Sequence, residues 1–219
     1  LYTLASASTQ TTIAIPASKK ITKPGFLQSI KPLETSTLAR EVAWAATILA
    51  PQRTLIASFC KLREAYLDQL MSGKTEIAEE LLNEIDNKFG ASLWSIENRI
   101  ALQTQRAGFE ATKNSINKLT EGKQRSFFGF FANQIGERNE TRVSRTNYEQ
   151  RLREKVKAWR VDPGQEDYLL YKLAGFTPKD NEQIANIICY EGSSSPIDYY
   201  ETVVDLLPRI VRKHPSQEN

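Results

Sequence analysis

Histidine is almost absent from this chain, and its scarcity excludes the most familiar catalytic and metal-binding sites. The single histidine, His214, falls in a predicted frayed tail at 214–219. No Ser-His-Asp or Cys-His arrangement can therefore be built within the ordered body, and a histidine-ligated metal site lacks support. We therefore expect no enzyme activity, no metal and no cofactor, although the composition leaves carboxylate- or lysine-based catalysis open.

Cysteine is nearly as scarce, and long apolar runs are missing. Cys60 and Cys189 are too few for a disulfide scaffold and lack the CxxC spacing of redox sites. No run approaches the roughly 18 apolar residues of a membrane span. The net charge of +3 is mild and does not by itself indicate a nucleic-acid partner. These features favour a cytoplasmic protein with reduced, buried thiols. A start at Leu1 rather than methionine is typical of a fragment or a processed product.

Apolar residues recur at helical spacing through the middle of the chain. In the first stripe, Leu55, Phe59, Leu62, Tyr66 and Leu70 advance by threes and fours, which is typical of an amphipathic helix. Further stripes follow at 77–89, 93–100 and 109–119, separated by glycines at 90 and 108. Over the whole chain such patterns predict an all-α fold of about eight or nine helices.

The spacing within 55–120 resembles a tetratricopeptide (TPR) repeat. Gly73, Ala78, Leu82, Ile85 and Gly90 fall roughly where that family has its turn glycine, its alternating small and large residues and its closing position. Gly73 to Gly108 is close to one repeat length. The resemblance implies antiparallel hairpins that present a concave groove to another protein. A plain helical bundle gives the same pattern, so both architectures remain open.

The rest of the chain divides into four further segments around this helical-hairpin region. We predict an extended arm at 1–34, the hairpin region at 35–122, an aromatic and basic helical region at 123–162, C-terminal helices at 163–213 and the tail at 214–219. From residue 35 these segments are expected to form one continuous helical body. Within it, Pro163-Gly164 is the best internal boundary, and Pro178 is expected to open a further helix.

Four phenylalanines surround Gly129, and they allow three interpretations. They close the core between the two halves of the chain, plug a partner's pocket, or lie at a membrane interface as peripheral anchors. Four adjacent large aromatics cannot all point inward on one helix, so at least one should be exposed or covered by another element. The four are Phe127, Phe128, Phe130 and Phe131.

The segment 138–160 is the most basic in the chain. On a helix from about Asn147 to Arg160, Tyr148, Leu152, Val156 and Trp159 share one stripe, while basic residues turn away from it. A nucleic-acid-binding protein is therefore the alternative function, and a solvated helix face gives the same pattern because acids are interleaved. The candidate phosphate contacts are Arg142, Arg145, Arg151, Lys155 and Arg160.

The function favoured by the sequence is non-catalytic binding of another protein, as an adaptor or a subunit of a larger assembly, with self-association possible. Trp94 is the sharpest candidate contact because it lies off the stripe formed by Leu93, Ile96 and Ile100. An exposed Trp94 would be an interface anchor, whereas a buried Trp94 would be ordinary packing between hairpins. The candidate protein-binding residues are Tyr66, Asn83, Trp94, Arg99, Phe130 and Phe131.

Overall fold

The computed structural model describes residues 37–120, 127–140, 143–192 and 195–213. The predicted arm at 1–34, the tail at 214–219 and Arg142 lie outside these residues. Within the described ranges the chain forms nine α-helices and no strand, which confirms the all-α prediction. None of these helices is both long enough and apolar enough to cross a bilayer.

The helices follow one another through short connections. They are α1 (Leu38–Leu49), a 3-10 turn (Ala50–Gln52), α2 (Arg53–Met71), α3 (Thr75–Phe89), α4 (Leu93–Thr120), α5 (Phe127–Arg138), α6 (Arg145–Ala158), α7 (Pro163–Ala174), α8 (Asn181–Glu191) and α9 (Pro196–Lys213).

Side-chain caps explain where several helices begin. Thr37, Ser144 and Asp162 each accept a hydrogen bond from the backbone N–H three residues ahead, which satisfies a donor that the first turn leaves unpaired. Asp180 caps α8 in the same way, so α8 begins at Asn181. The prediction that a helix opens at Pro178 was therefore wrong, because the capping aspartate, rather than the proline, decides the start.

The long helix α4 is bent at Gly108, where the sequence predicts a break. Gly108 has φ 77° and ψ 176°, a backbone region that is essentially restricted to glycine. The bend brings the Thr104 hydroxyl within 3.2 Å of Thr112 Oγ1, although the two residues are eight positions apart. In a straight helix eight residues span about 12 Å, so this contact depends on the bend.

Two hydrophobic cores hold the helices together. The smaller core joins α2 and α3 and also receives Leu102 from α4 and Ile197 from α9. The larger core draws side chains from α1 and from α4 through α9, among them Ala45, Leu152 and Leu206. Helix α1 packs against α8 and α9, so the first described helix rests on the last two.

Gly108→Ala should destabilise the fold because alanine does not adopt this backbone conformation without strain. We expect the free energy of unfolding to fall by about 1–2 kcal/mol in urea titrations, since the strain outweighs the entropy that alanine removes from the unfolded chain.

Gly192→Ala is the matched control. Gly192 has φ −57°, and a Cβ there would lie 3.4 Å from its nearest neighbour, the Cys189 carbonyl oxygen. This variant should show no loss of stability. Equal stability of the two variants would contradict the strain assigned to Gly108.

Candidate functional site

A pocket of about 190 Å³ opens where the start of α4 meets α7 and α9, with α5 behind it. Its lining combines charged and aromatic side chains. The charged ones are Glu97, Lys172, Asp198, Glu201 and Asp205, and the aromatic ones are Trp94, Phe131 and Tyr171.

Asp198 on α9 fixes the position of the helix that carries Trp94. Its Oδ2 accepts from the Leu93 N–H at 2.8 Å and its Oδ1 accepts from the Trp94 N–H at 2.9 Å. These are the first amides of α4, whose unpaired N–H groups favour a negative charge. The Ser195 hydroxyl donates a third hydrogen bond, to Oδ2 at 2.9 Å. Asp198 thus caps a helix 105 residues away in sequence.

A buried ion pair lies beside Asp198. Lys172 Nζ on α7 is 2.8 Å from Oε2 of Glu191 on α8, and the Glu191 side chain is 0% exposed. The Thr202 hydroxyl donates to the same oxygen at 2.9 Å, and Tyr168 donates to Oε1 at 3.5 Å. A buried pair is tolerated only with such additional partners, because desolvation of the two charges is costly. The network therefore ties α7, α8 and α9 to one another.

Burial and repulsion make the Asp198 carboxyl a weaker acid than usual. Burial, followed by repulsion from Glu191, raises the pKa of Asp198 to about 6, against the opposing effects of Lys172 and the two α4 amides. Burial also raises the pKa of Glu201, although Arg63 opposes the change. Burial lowers the pKa of Lys172, but attraction to Glu191 and Asp198 outweighs it, so that pKa is raised. Negative charge is thus in excess at this site.

The outer carboxylates are held by neighbouring helices. Arg63 on α2 pairs with Glu201, and Arg138 on α5 pairs with Glu97. Asp205 accepts a hydrogen bond of 2.6 Å from the Tyr171 hydroxyl. The rim of the pocket is therefore built by residues from five of the described helices, namely α2, α4, α5, α7 and α9.

Trp94 lines the pocket but is partly buried. Its ring packs edge-on against Phe59 at 5.1 Å and against Tyr66 at 5.7 Å between ring centroids. The ring therefore takes part in packing between the hairpins and forms part of the pocket wall, while its role as an interface anchor stays a prediction. Tyr66, another candidate protein-binding residue, is corrected to a core residue. It is 0% exposed and belongs to the smaller core rather than to a surface.

Arg99 and Asn83 are brought together across α3 and α4. The Arg99 guanidinium donates to Asn83 Oδ1 at 3.0 Å and pairs with Asp86. Neither residue lines the pocket. Their role as partner contacts stays a prediction.

The aromatic cluster at the start of α5 is distributed between the core and the surface. Phe131 is 1% exposed, which agrees with the interpretation that the phenylalanines close the core, and it also forms the back wall of the pocket, so its role as a partner contact stays a prediction. Phe130 is half-buried, with its ring 5.4 Å from that of Trp159. Phe128 is exposed, which agrees with the expectation that four adjacent aromatics cannot all turn inward.

The basic segment forms α6, and its predicted apolar stripe of Tyr148, Leu152 and Val156 is buried. Of the candidate phosphate contacts, Lys155 pairs with Glu137 at 2.7 Å, and Arg145 donates to the Ala174 carbonyl at 3.4 Å. Arg151 and Arg160 are exposed. Their binding to nucleic acid stays a prediction, and Arg142 lies outside the described residues.

Lys172, Glu191, Asp198 and Thr202 were not predicted as site residues. The sequence holds one local signal, because Ser195-Pro196-Ile197-Asp198 has the spacing of a capping box. The Ser195 hydroxyl indeed accepts from the Asp198 N–H at 3.1 Å. That signal marks the start of α9 but gives no hint that the carboxylate also caps α4.

The described residues contain no group of three or more His, Cys, Asp or Glu side chains that could hold a metal ion. Comparisons with known protein families, with curated protein sequences and with solved structures find no match. The tetratricopeptide resemblance therefore stays a prediction.

The raised pKa of Asp198 makes a pH-dependent contribution to stability. Because the native carboxyl binds its proton more tightly than the unfolded one, this group stabilises the fold at low pH, and the stabilisation is lost as the pH rises through about 6. Relative to Asp198→Asn, which does not titrate, the wild-type free energy of unfolding should fall by roughly 1 kcal/mol between pH 5 and pH 7.

Urea titrations of both chains across that pH range provide the measurement. If the difference in free energy of unfolding between wild type and Asp198→Asn does not change with pH, the raised pKa of Asp198 is contradicted. Asp205→Asn, at an exposed carboxylate of the same pocket, is the control.

Proposed function

We propose that this chain is a non-catalytic protein-binding module, an adaptor or a subunit of a larger assembly, whose pocket receives one side chain of its partner. The observation that supports this most directly is the size of the pocket. At about 190 Å³ it is smaller than the roughly 300–1,000 Å³ of typical small-molecule and cofactor sites. A cavity of about 150 Å³ accepts a benzene ring, so the pocket suits a single side chain.

The rigidity of the pocket also supports an anchoring role. Its floor is held by the hydrogen bonds of Asp198 and by the Lys172–Glu191 pair, so little conformational entropy remains to be lost when a side chain enters. Trp94 and Tyr171 supply the aromatic surface on which interface anchors commonly depend.

The engagement of the carboxylates argues against a catalytic use of the same site. Asp198 has the pKa expected of an acid–base catalyst, but both of its oxygens already accept backbone N–H bonds from α4. Glu97 and Glu201 are each paired with an arginine. This engagement of the carboxylates supports a role in shaping the pocket rather than in proton transfer.

Filling the mouth of the pocket should abolish partner binding. Asp205 is exposed and lines the pocket, so Asp205→Trp places a large side chain at the entrance without disturbing the core. With immobilised wild-type chain and source-cell extract, we expect to capture a defined protein that nuclease treatment does not remove. The immobilised Asp205→Trp chain should fail to capture this protein.

Glu80→Trp is the matched control, since Glu80 is exposed on α3 and does not line the pocket. That chain should retain the partner, and all three chains should have similar melting temperatures. Retention of the same partner by Asp205→Trp would contradict the proposal. Material that nuclease removes completely would instead favour the basic helix α6 as the binding surface.

A further inference from the structure

The pocket holds more negative than positive charge. Five carboxylates belong to its lining or its floor, namely Glu97, Glu191, Asp198, Glu201 and Asp205. Among the described residues four cations lie close to them. Arg63, Arg138 and Lys172 are each paired with one of these carboxylates, and Arg209 on α9 acts electrostatically on Tyr171, which donates to Asp205.

Two of the carboxylates have no cation as a partner. Among the described side chains, no salt bridge joins Asp198 or Asp205 to a lysine or arginine. Asp198 is satisfied by amides and a hydroxyl, and Asp205 by the phenolic hydroxyl of Tyr171. Lys172 attracts Asp198 electrostatically, but it also lies 2.8 Å from Glu191, so this one cation offsets two carboxylates, and Asp198 is only 1% exposed to solvent.

We propose that the side chain received by the pocket is basic, an arginine in preference to a lysine, so that the partner presents a basic segment. The inference rests on the proposed function and specifies its partner.

Charge and aromatic surface point to the same occupant. A cation in the pocket would be attracted by Asp198 and Asp205, the carboxylates that form no salt bridge. It would lie beside Trp94 and Tyr171, whose rings favour cations over their faces. A guanidinium group stacks on aromatic rings and offers five donors in a fixed plane, whereas an ammonium group is compact and strongly hydrated. Lys172, a cation in the pocket lining, is already paired with Glu191 at 2.8 Å.

The protonation of Asp198 predicts how binding of a basic side chain should depend on pH. Burial first, and then repulsion from Glu191, holds the pKa of Asp198 at about 6, and the groups facing it from other helices are Lys172 and the α4 amides. A cation bound in the pocket would favour the ionised form of the Asp198 carboxyl. Affinity for a basic side chain should therefore weaken severalfold as the pH falls from 7 to 5.

Short peptides that differ at one position test the inference on the full chain. The probes are acetylated Gly-Gly-X-Gly-Gly peptides with arginine, lysine or citrulline at X, since citrulline has the shape of arginine without its charge. The readout is the indole N–H signal of Trp94 by NMR, with Trp44 on α1 and Trp159 after α6 as internal references.

The arginine peptide should shift the Trp94 signal saturably and leave the two references unchanged. Binding should be at least about fivefold weaker for citrulline and should weaken with salt. Asp205→Asn and Glu201→Gln should each weaken it by about threefold, whereas Glu80→Gln should have no effect.

Equal binding of arginine and citrulline, or no shift of Trp94 with arginine, would overturn the inference. If Asp205→Trp nevertheless loses its captured partner, the proposed function stands and only the basic occupant is wrong. The predicted arm at 1–34 contains four lysines, Lys19, Lys20, Lys23 and Lys31. A shift of the Trp94 signal in the free chain when all four are changed to Gln would also overturn the inference, because the occupant would then be the chain's own arm.

Discussion

The need to compensate buried charge constrains this fold more than any single hydrophobic contact. Asp198 and Glu191 are almost completely removed from water, and an unpaired buried charge would cost several kcal/mol. Asp198 is therefore held by the first amides of α4, and Glu191 by Lys172 and Thr202. Because each partner comes from a different helix, α4, α7, α8 and α9 have to meet in one arrangement. Apolar packing alone would tolerate small shifts among these helices, whereas the hydrogen bonds do not.

The same arrangement produces the pocket. Capping by Asp198 places Trp94 at the first turn of α4, directly beside the carboxylates of α9. Arg63 and Arg138 extend the charge network to α2 and α5, so the rim is connected to both cores. A site of this kind is preformed, and its charge is a property of the fold rather than of a loop. Recognition of a partner would then depend on matching the pocket, not on rearranging it.

Local patterns predict the helices well because their causes are local. The stripe of Ala78, Leu82 and Ile85 and the backbone break at Gly108 both follow from residue spacing and from the conformational freedom of glycine. The site is different. Tyr66 and Phe131 belonged to apolar patterns and were also candidate partner contacts, because helical spacing gives a buried face but not the number of neighbours that cover it. The pairing of Asp198 with α4 joins residues 105 positions apart, and no short-range pattern contains that information.

Helix α1 has a consequence for synthesis of the chain on the ribosome. Ala45 is buried in the larger core, where α1 packs against α8 and α9. The surface that receives α1 is made by α8 (Asn181–Glu191) and α9 (Pro196–Lys213), which are translated long after α1 itself. At about 5–20 residues per second, this interval is on the order of 10 s. During it the apolar face of α1 has no native partner, so chaperone binding to the nascent chain would be expected to concentrate on this first helix.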